Sequence, residues 1–543
     1  MRRLLAPMTE WTHNRDGSDL RTPCPPEYGV NPPKTRHKAP MSGTPRHTFV
    51  ISDVHVADGE APDPHRPLWR RYKDPAFFVD DSLTRFLDHA RTLAGHERAE
   101  LVLNGDIFDF DCVAVVPDDA PFRVSWLERA RGLSAEEPKA VWKLTRILDD
   151  HPVLLAELRR WLLDGNDVAY VIGNHDLEMH WPAAQALVRH RLALPPDCPG
   201  ELRFCAWFTI SGGDTLVTHG NQLDPYCLCH DPLHPFIEVH GTTRVRLPFG
   251  DYAGKFLSNG IGWFNPHVES TYVKSPLEWF WFFYQHVVRQ QPFILGTWLW
   301  SSVAALWASL RDGLRPALRD PLTLDDRVEE VARDARTTPK VVRAMHEVRA
   351  HPAVYRPLMV ARELWLDRFF LLVGILVISL QAVSTLHLFA GVSGWWMIVL
   401  FAVLLPPFVF YTASVDSDVR VVSRNIHKRL ALLARITRTD KVVMGHTHDA
   451  RHERIGDVEY ANTGHWAPGF SDMACTQPEG VRGFTWIHPD GAGGRRMELR
   501  EWTDPDSVAL PVVELPVKKS ALERLRPKLP WRRKSPTEVV PGS

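Results

Sequence analysis

The chain has 543 residues, 44% of them hydrophobic and 24% charged, with 64 Lys plus Arg against 65 Asp plus Glu for a formal net charge of -1. Those values exclude a globally disordered chain, a collagen-like fibre and a polytopic transporter, and they remove any global electrostatic case for a nucleic-acid binder. Seven cysteines, an odd number scattered through a long chain, do not form a disulfide framework and fit a reducing compartment.

Residues 1–46 mix Pro, Arg, Thr and Gly without apolar periodicity, and no apolar run follows the basic start Met1-Arg2-Arg3. They read as a disordered tail rather than a cleaved signal peptide. From His47 onward short β-rich runs alternate with helical stretches such as Asp81 to Ala94 and Pro138 to Leu163, which is the texture of an α/β domain. Its first part is expected over 47–225.

Five apolar runs end in the same manner. Thr48-Phe49-Val50-Ile51 leads into Ser52-Asp53-Val54-His55, and Leu101-Val102-Leu103 leads into Asn104-Gly105-Asp106. Val168 to Ile172 leads into Gly173-Asn174-His175-Asp176, and Thr215-Leu216-Val217 into Thr218-His219-Gly220. Much later, Lys441-Val442-Val443-Met444 leads into Gly445-His446-Thr447-His448. Five predicted strands thus deliver Asp, Asn or His at their carboxyl ends, where α/β sheets hold ligands.

Between the fourth and fifth runs the texture changes. Residues 226–368 are aromatic and then charged and helical, with Trp279 to Tyr284, Trp298, Trp300 and Trp307 in the aromatic part. We read this segment as a cap or as helices lying in a membrane interface. Residues 369–415 contain no Asp, Glu, Lys or Arg, enough for two membrane passes of about 20 residues each. Gly391-Val392-Ser393-Gly394 marks the turn, and Pro406-Pro407 is expected to break the second pass, leaving a spanning and a re-entrant hairpin both open. Catalytic blocks on both sides require an even number of crossings. Arg356, Arg362 and Arg368 before the stretch, with Arg420, Arg424, Lys428 and Arg429 after it, put both ends on the cytoplasmic side of the cell membrane. The domain resumes over 416–505, and residues 506–543 form a basic tail.

Two metal ions acting on a phosphate ester need a bridging carboxylate, neutral imidazoles and open positions for water and substrate. The strand ends can supply these. Asp53 and His55 face one ion, Asp106 is free to bridge, Asn174, His219 and His446 complete a second ion, and His448 returns to the first. His175 then stands beside the site as a general acid, with Asp176 able to orient its ring. Mixed His and carboxylate ligation favours Mn, Fe or Zn over Mg. Cys227-Leu228-Cys229-His230 with His234 fits no common structural-zinc spacing and reads as a packed loop beside the site.

This series resembles the calcineurin-like metallophosphoesterase superfamily, whose D-x-H, G-D-x-x-D, G-N-H-D/E, H and G-H-x-H motifs occur in this order; Asn462 to Trp466 is similar to the turn after its last motif. The resemblance covers roughly 47–225 and 416–500. It implies a four-layer α/β/β/α sandwich, interrupted here by the helical, membrane-inserting insertion. It also implies one metal held by Asp53, His55, Asp106 and His448, a second by Asp106, Asn174, His219 and His446, and Asp109 behind them. Attack by a metal-bound hydroxide on a phosphoester or diphosphate is the implied chemistry. A weaker similarity is to UDP-2,3-diacylglucosamine pyrophosphatases, which carry a helical lid in the same interval. That branch is much shorter and commonly has Arg at the position of His175, so a lipid-linked substrate rests on the placement and apolarity of the insert. Membrane lipid and a phosphate-containing substrate are the expected partners, with no nucleic acid. A tethered phosphoprotein phosphatase, a tethered cyclic-nucleotide phosphodiesterase and a non-catalytic membrane scaffold or receptor are the alternatives.

Overall fold

The computed structural model describes residues 46–263, 265–268, 281, 284, 293–415 and 422–515. The expected tail over 1–45, most of the aromatic segment between 269 and 292, the joint at 416–421 and the basic tail from 516 lie outside the described residues.

The chain is mixed α/β. Its strands are β1 (His47–Ile51), β2 (Ala99–Asn104), β3 (Asp167–Val171), β4 (Leu202–Cys205), β5 (Phe208–Ser211), β6 (Thr215–Thr218), β7 (Phe236–Val239), β8 (Thr242–Val245), β9 (Lys441–Met444), β10 (Arg451–Ile455), β11 (Val458–Asn462), β12 (Gly483–Pro489), β13 (Arg495–Trp502), β14 (Ser507–Ala509) and β15 (Val513–Leu515). One sheet has the order β14-β13-β12-β1-β2-β3-β4, the other β15-β10-β11-β9-β6-β5. In the first, β1 to β4 run parallel; in the second, β6, β9 and β11 do. All five motif-bearing runs are strands. Three lie in one sheet and two in the other.

These five strands read as continuous apolar runs because both of their faces are covered. On one face of the first sheet, Phe49, Leu101 and Val168 pack with Phe86, Leu144 and Leu158 of the helices Asp80–Leu93, Glu137–Asp150 and Pro152–Leu163. A second cluster joins Val50, Val102, Ala169 and Ile487 of that sheet to Val217, Val443 and Ala461 of the other. A third buries Leu216, Val442 and Tyr460 with Val331, Val342 and Leu430 of the helices Leu324–Asp334, Pro339–Glu347 and Val422–Thr437. Part of the segment read from sequence as a cap therefore covers the second sheet. Val328, Val331 and Ala332, spaced three and four apart, put one apolar face on it. The fold also continues past the expected boundary at 505, since β14 pairs with β13 and β15 with β10.

Two helices, Leu366–Ala390 and Trp396–Ser414, are long and apolar enough to cross a membrane, and their most apolar windows are 11% and 0% buried. Gly391, with φ 64°, ends the first helix in a left-handed turn. The expected break at Pro406-Pro407 does not occur: the second helix runs through both prolines. Their fixed φ near −65° is already helical, so they remove amide donors without forcing a stop.

The described part of the insertion is tied together internally by charge. Arg244 on β8 pairs with buried Asp312 on helix Ile294–Gly313, and the Tyr252 hydroxyl on helix Phe249–Ala253 donates to the same carboxylate. Tyr226, Phe249, Val360 and Leu366 then form one buried cluster, so the start of the first long helix packs directly on the insertion.

Truncating Ile487 to Ala removes a fully buried side chain from between the sheets. The expected cost is about 2–5 kcal/mol of stability, read as a lower urea midpoint.

Candidate metal centre

The residues singled out in the sequence stand at the ends of strands from both sheets. Asp53 and His55 follow β1, Asp106 follows β2, Asn174 to Asp176 follow β3, His219 follows β6, and His446 and His448 follow β9. Five of them hold left-handed backbone: Asp53 (φ 54°), His55 (φ 49°), Asp106 (φ 54°), His446 (φ 69°) and His448 (φ 55°). Each such residue costs roughly 1–2 kcal/mol, a strain that persists only where the surroundings enforce it. Here the enforcement is hydrogen bonding between strand ends. Asp53 N donates to Gly105 O (3.1 Å), His55 N to Asp106 O (2.9 Å) and Gly445 N to His219 O (2.9 Å). His446 N donates to the Asp53 carboxylate at 3.1 Å.

Two glycines serve close approach rather than turn geometry. A Cβ on Gly173 would collide with the Asp106 carboxylate, and one on Gly445 with Asp53 Oδ2 and Ser52 Oγ.

Among the groups of three ligand-type atoms within 4.8 Å of one another are Asp53, His55 and His448, and Asp106, His219 and His446; Asp109 groups with His55 and His175 and with Cys112 and His267, and His446 with Asp224 and Cys227. Asp106 Oδ2 lies between the first two groups, 3.1 Å from His219 Nε2 and 3.9 Å from His55 Nε2. Asp53 Oδ1 is 3.2 Å from His448 Nε2. Each imidazole is held by one nitrogen from outside. His55 Nδ1 meets Asp109 Oδ2 (3.1 Å), His219 Nδ1 the Asn104 carbonyl (2.8 Å) and His448 Nδ1 the His267 carbonyl (3.0 Å). His446 Nε2 meets Asp224 Oδ2 at 2.9 Å. Anchoring one nitrogen sets the tautomer and turns the other nitrogen inward, as metal-ligating histidines require.

The buried atoms His55 Nε2 and Asn174 Oδ1 have no hydrogen-bond partner among the described residues, and His219 Nε2 has only the Asp106 carboxylate beside it. Buried polar atoms are nearly always satisfied, so these atoms fit bound cations. The residues present fit the binding of divalent metal.

The electrostatics agree. Burial would raise Asp106, but His219 and His175 hold its carboxyl well below the usual range, and His219 and His448 do the same for Asp53. Burial opposes charge on His219, yet Asp106 and Asp53 raise it to about 9. His175 is likewise raised well above an ordinary histidine by Asp109 and Asp106, against its burial.

His175 Nδ1 lies 3.4 Å from Asp109 Oδ2 and 3.8 Å from Asp111 Oδ2. The expectation that Asp176 orients this ring is corrected. The Asp176 carboxylate instead accepts from Gly173 N (2.6 Å), Ile107 N (3.0 Å) and the Tyr170 hydroxyl (2.6 Å). It folds back under its own turn and ties the ends of β2 and β3 together; the carboxylate beside His175 is Asp109.

Three residues were missed by sequence reasoning. Asp224, in the loop that follows His219, could have been sought as an acid near a strand end. Asp251 and His267 lie in the insertion, where no motif marks them. Asp251 Oδ1 accepts from Asn174 Nδ2 at 3.2 Å, and the His267 ring lies 4.1 Å from that of His55, centroid to centroid. The cysteine loop forms no zinc set of its own among the described residues: Cys227 groups with Asp224 and His446, and Cys229 packs in the first core cluster.

No family model matches the chain, and no curated protein matches it. Among solved structures, similarity is found to wild-type Vps29 complexed with Zn+2 from Entamoeba histolytica, at 18% identity and a TM-score of 0.13, over 15% of this chain and 44% of that one. A double mutant of the same protein gives 18% identity and a TM-score of 0.12, over 16% and 47%. The chain thus spans less than half the length of these proteins, and likeness at this level carries no argument about fold or function.

His219 binds its proton more tightly in the folded chain than at its ordinary 6.5. Its contribution to stability is complete below pH 6.5 and is lost as the pH rises through about 9. Metal-stripped protein is expected to melt at a lower temperature at pH 9 than at pH 6.5, with a smaller drop in His219→Gln. Equal drops in the two proteins would contradict this charge arrangement.

Proposed function

We propose that the chain is a membrane-anchored, dinuclear metal-dependent phosphoesterase built on the four-layer α/β/β/α metallophosphoesterase sandwich. The observation that carries this reading is the pair of ligand groups beside and including Asp106, with every imidazole held from outside and His55 Nε2 and Asn174 Oδ1 left without a hydrogen-bond partner among the described residues. The three buried clusters, helix on sheet, sheet on sheet and sheet on helix, support the layering.

Asp53, His55, Asp106 and His448 would hold one ion, and Asp106, Asn174, His219 and His446 the other. When bound, two divalent ions of the Mn, Fe or Zn type activate a water nucleophile and neutralise charge that develops on the phosphoryl oxygens. The chain's own residues do the rest. His175, whose side chain is 20% exposed while His55 and His219 are closed off, sits where a substrate can reach it. Asp109 holds the ring through Nδ1 and keeps it protonated, so Nε2 can deliver a proton to the leaving oxygen. The cleaved bond is a phosphoester or a diphosphate.

Membrane anchoring is supported by the two long helices, whose apolar side chains such as Ile378, Phe389, Ile398 and Phe410 face outward. Charge is kept at their base, where the Tyr411 hydroxyl donates to Asp367 (2.7 Å) and Arg368 donates to the Arg362 carbonyl (2.8 Å). Phe293 and Trp307, exposed on and beside helix Ile294–Gly313, suit a position in the lipid interface. With both helix ends joined to the catalytic domain and basic residues at the base, the site faces the cytoplasm. A lipid-linked phosphoester or diphosphate is the substrate class that this placement favours.

Asp106→Ala is expected to lower Mn-dependent hydrolysis by roughly 1000-fold or more while the protein still floats with vesicles. Wild-type turnover in that variant would sink the assignment. Replacing residues 369–415 by a short linker should spare hydrolysis of a soluble phosphodiester and abolish hydrolysis of a lipid-linked diphosphate in vesicles. Unchanged turnover on both would point to a tethered phosphatase or phosphodiesterase acting on soluble substrates.

A further inference from the structure

We propose that Asp251, a residue of the insertion, is a positioning residue for the second ion, so that the insertion completes the metal centre. This rests on the dinuclear reading above. Asn174 has an amide that can be turned either way, and only its oxygen can bind a cation. Asp251 Oδ1 accepts from Asn174 Nδ2 at 3.2 Å, and the opposite atom, the buried Oδ1 of Asn174, has no hydrogen-bond partner among the described residues. An acceptor at this place decides the orientation: with the amide reversed, Asn174 would set its oxygen against the Asp251 oxygen and its NH2 group against the ion.

Asp251 itself is fully buried. It lies on the short helix Phe249–Ala253, whose Tyr252 hydroxyl is bound to Asp312 and whose Phe249 packs in the cluster that contains Leu366. The insertion also touches the first ion's ligands, because the His267 carbonyl accepts from His448 Nδ1. One ligand of each ion is therefore steadied by a segment that starts after the first half of the domain and leads into the apolar hairpin. Arg244, Arg311 and Asp312 carry the charges of this carrier; Asp111, Asp106 and His175 carry those that face Asp251 from the domain.

The test is Mn uptake by the full-length, detergent-purified chain, read as ions per chain by elemental analysis and as two dissociation constants by titration. Wild type should take two ions. Asp251→Ala should keep the first and bind the second about 10- to 100-fold more weakly, whereas Asp251→Asn, which retains a carbonyl acceptor, should match wild type. Asp251→Leu, a nonpolar side chain of similar size, serves if Asp251→Ala does not fold. In an Asn174→Ala background the loss of Asp251 should add nothing to the weakening of the second ion. Two ions bound with wild-type affinity in Asp251→Ala, an Asp251→Asn as weak as Asp251→Ala, or additive losses with Asn174→Ala would each overturn the inference while the dinuclear reading stands. A wild-type chain that takes up no Mn overturns the dinuclear reading and this inference with it.

Discussion

Two carboxylates, Asp53 and Asp106, lie out of contact with water, and the surrounding structure is arranged to make that tolerable. An isolated buried carboxylate would cost several kcal/mol and take up a proton instead. Here each faces imidazoles delivered by other strands: His219 and His448 for Asp53, His219 and His175 for Asp106. The requirement propagates outward. The imidazoles must approach from several directions, so they come from two sheets. They must present a chosen nitrogen, so Asn104, Asp109, Asp224 and His267 hold the other.

Backbone strain has the same origin. Asp53, His55, Asp106, His446 and His448 adopt a conformation that L-residues avoid; hydrogen bonds between strand ends hold the first four there, and the His267 carbonyl holds the His448 ring. Gly173 and Gly445 belong to this arrangement as well. Their motif positions suggest tight turns, but what excludes a side chain is the carboxylate of another strand. Asp176 likewise acts across strands, joining the loop after β2 to the loop after β3.

The insertion proves to be several things at once. Its helices over 324–347 cover the second sheet, its residues Asp251 and His267 contact Asn174 and His448 of the candidate metal centre, and its end becomes the apolar hairpin. A segment that merely tethered the domain would need none of the first two. The cluster of Tyr226, Phe249 and Leu366 joins the loop beside Asp224, the helix that carries Asp251 and the base of the hairpin in a single packed body.

Local chemistry was legible in the sequence. The five apolar runs, the ligand-type residue at each strand end and the charge-free stretch depend on residue type and short spacing, and such signals survive without a third dimension. The identity of His175's partner did not follow from spacing, because adjacent side chains point apart and Asp176 folds back while Asp109 reaches across from another strand. Nor did the unbroken helix at Pro406-Pro407, where backbone angles already suited to a helix outweigh two missing donors. Asp224, Asp251 and His267 were hidden for a different reason: each acts through one long-range contact with no periodic or motif signal around it. The sequence by itself determined which residues could bind ions and where apolar length sufficed for a membrane. Only the tertiary structure decided how those residues are oriented, because orientation is set by groups brought from distant parts of the chain into hydrogen-bond range.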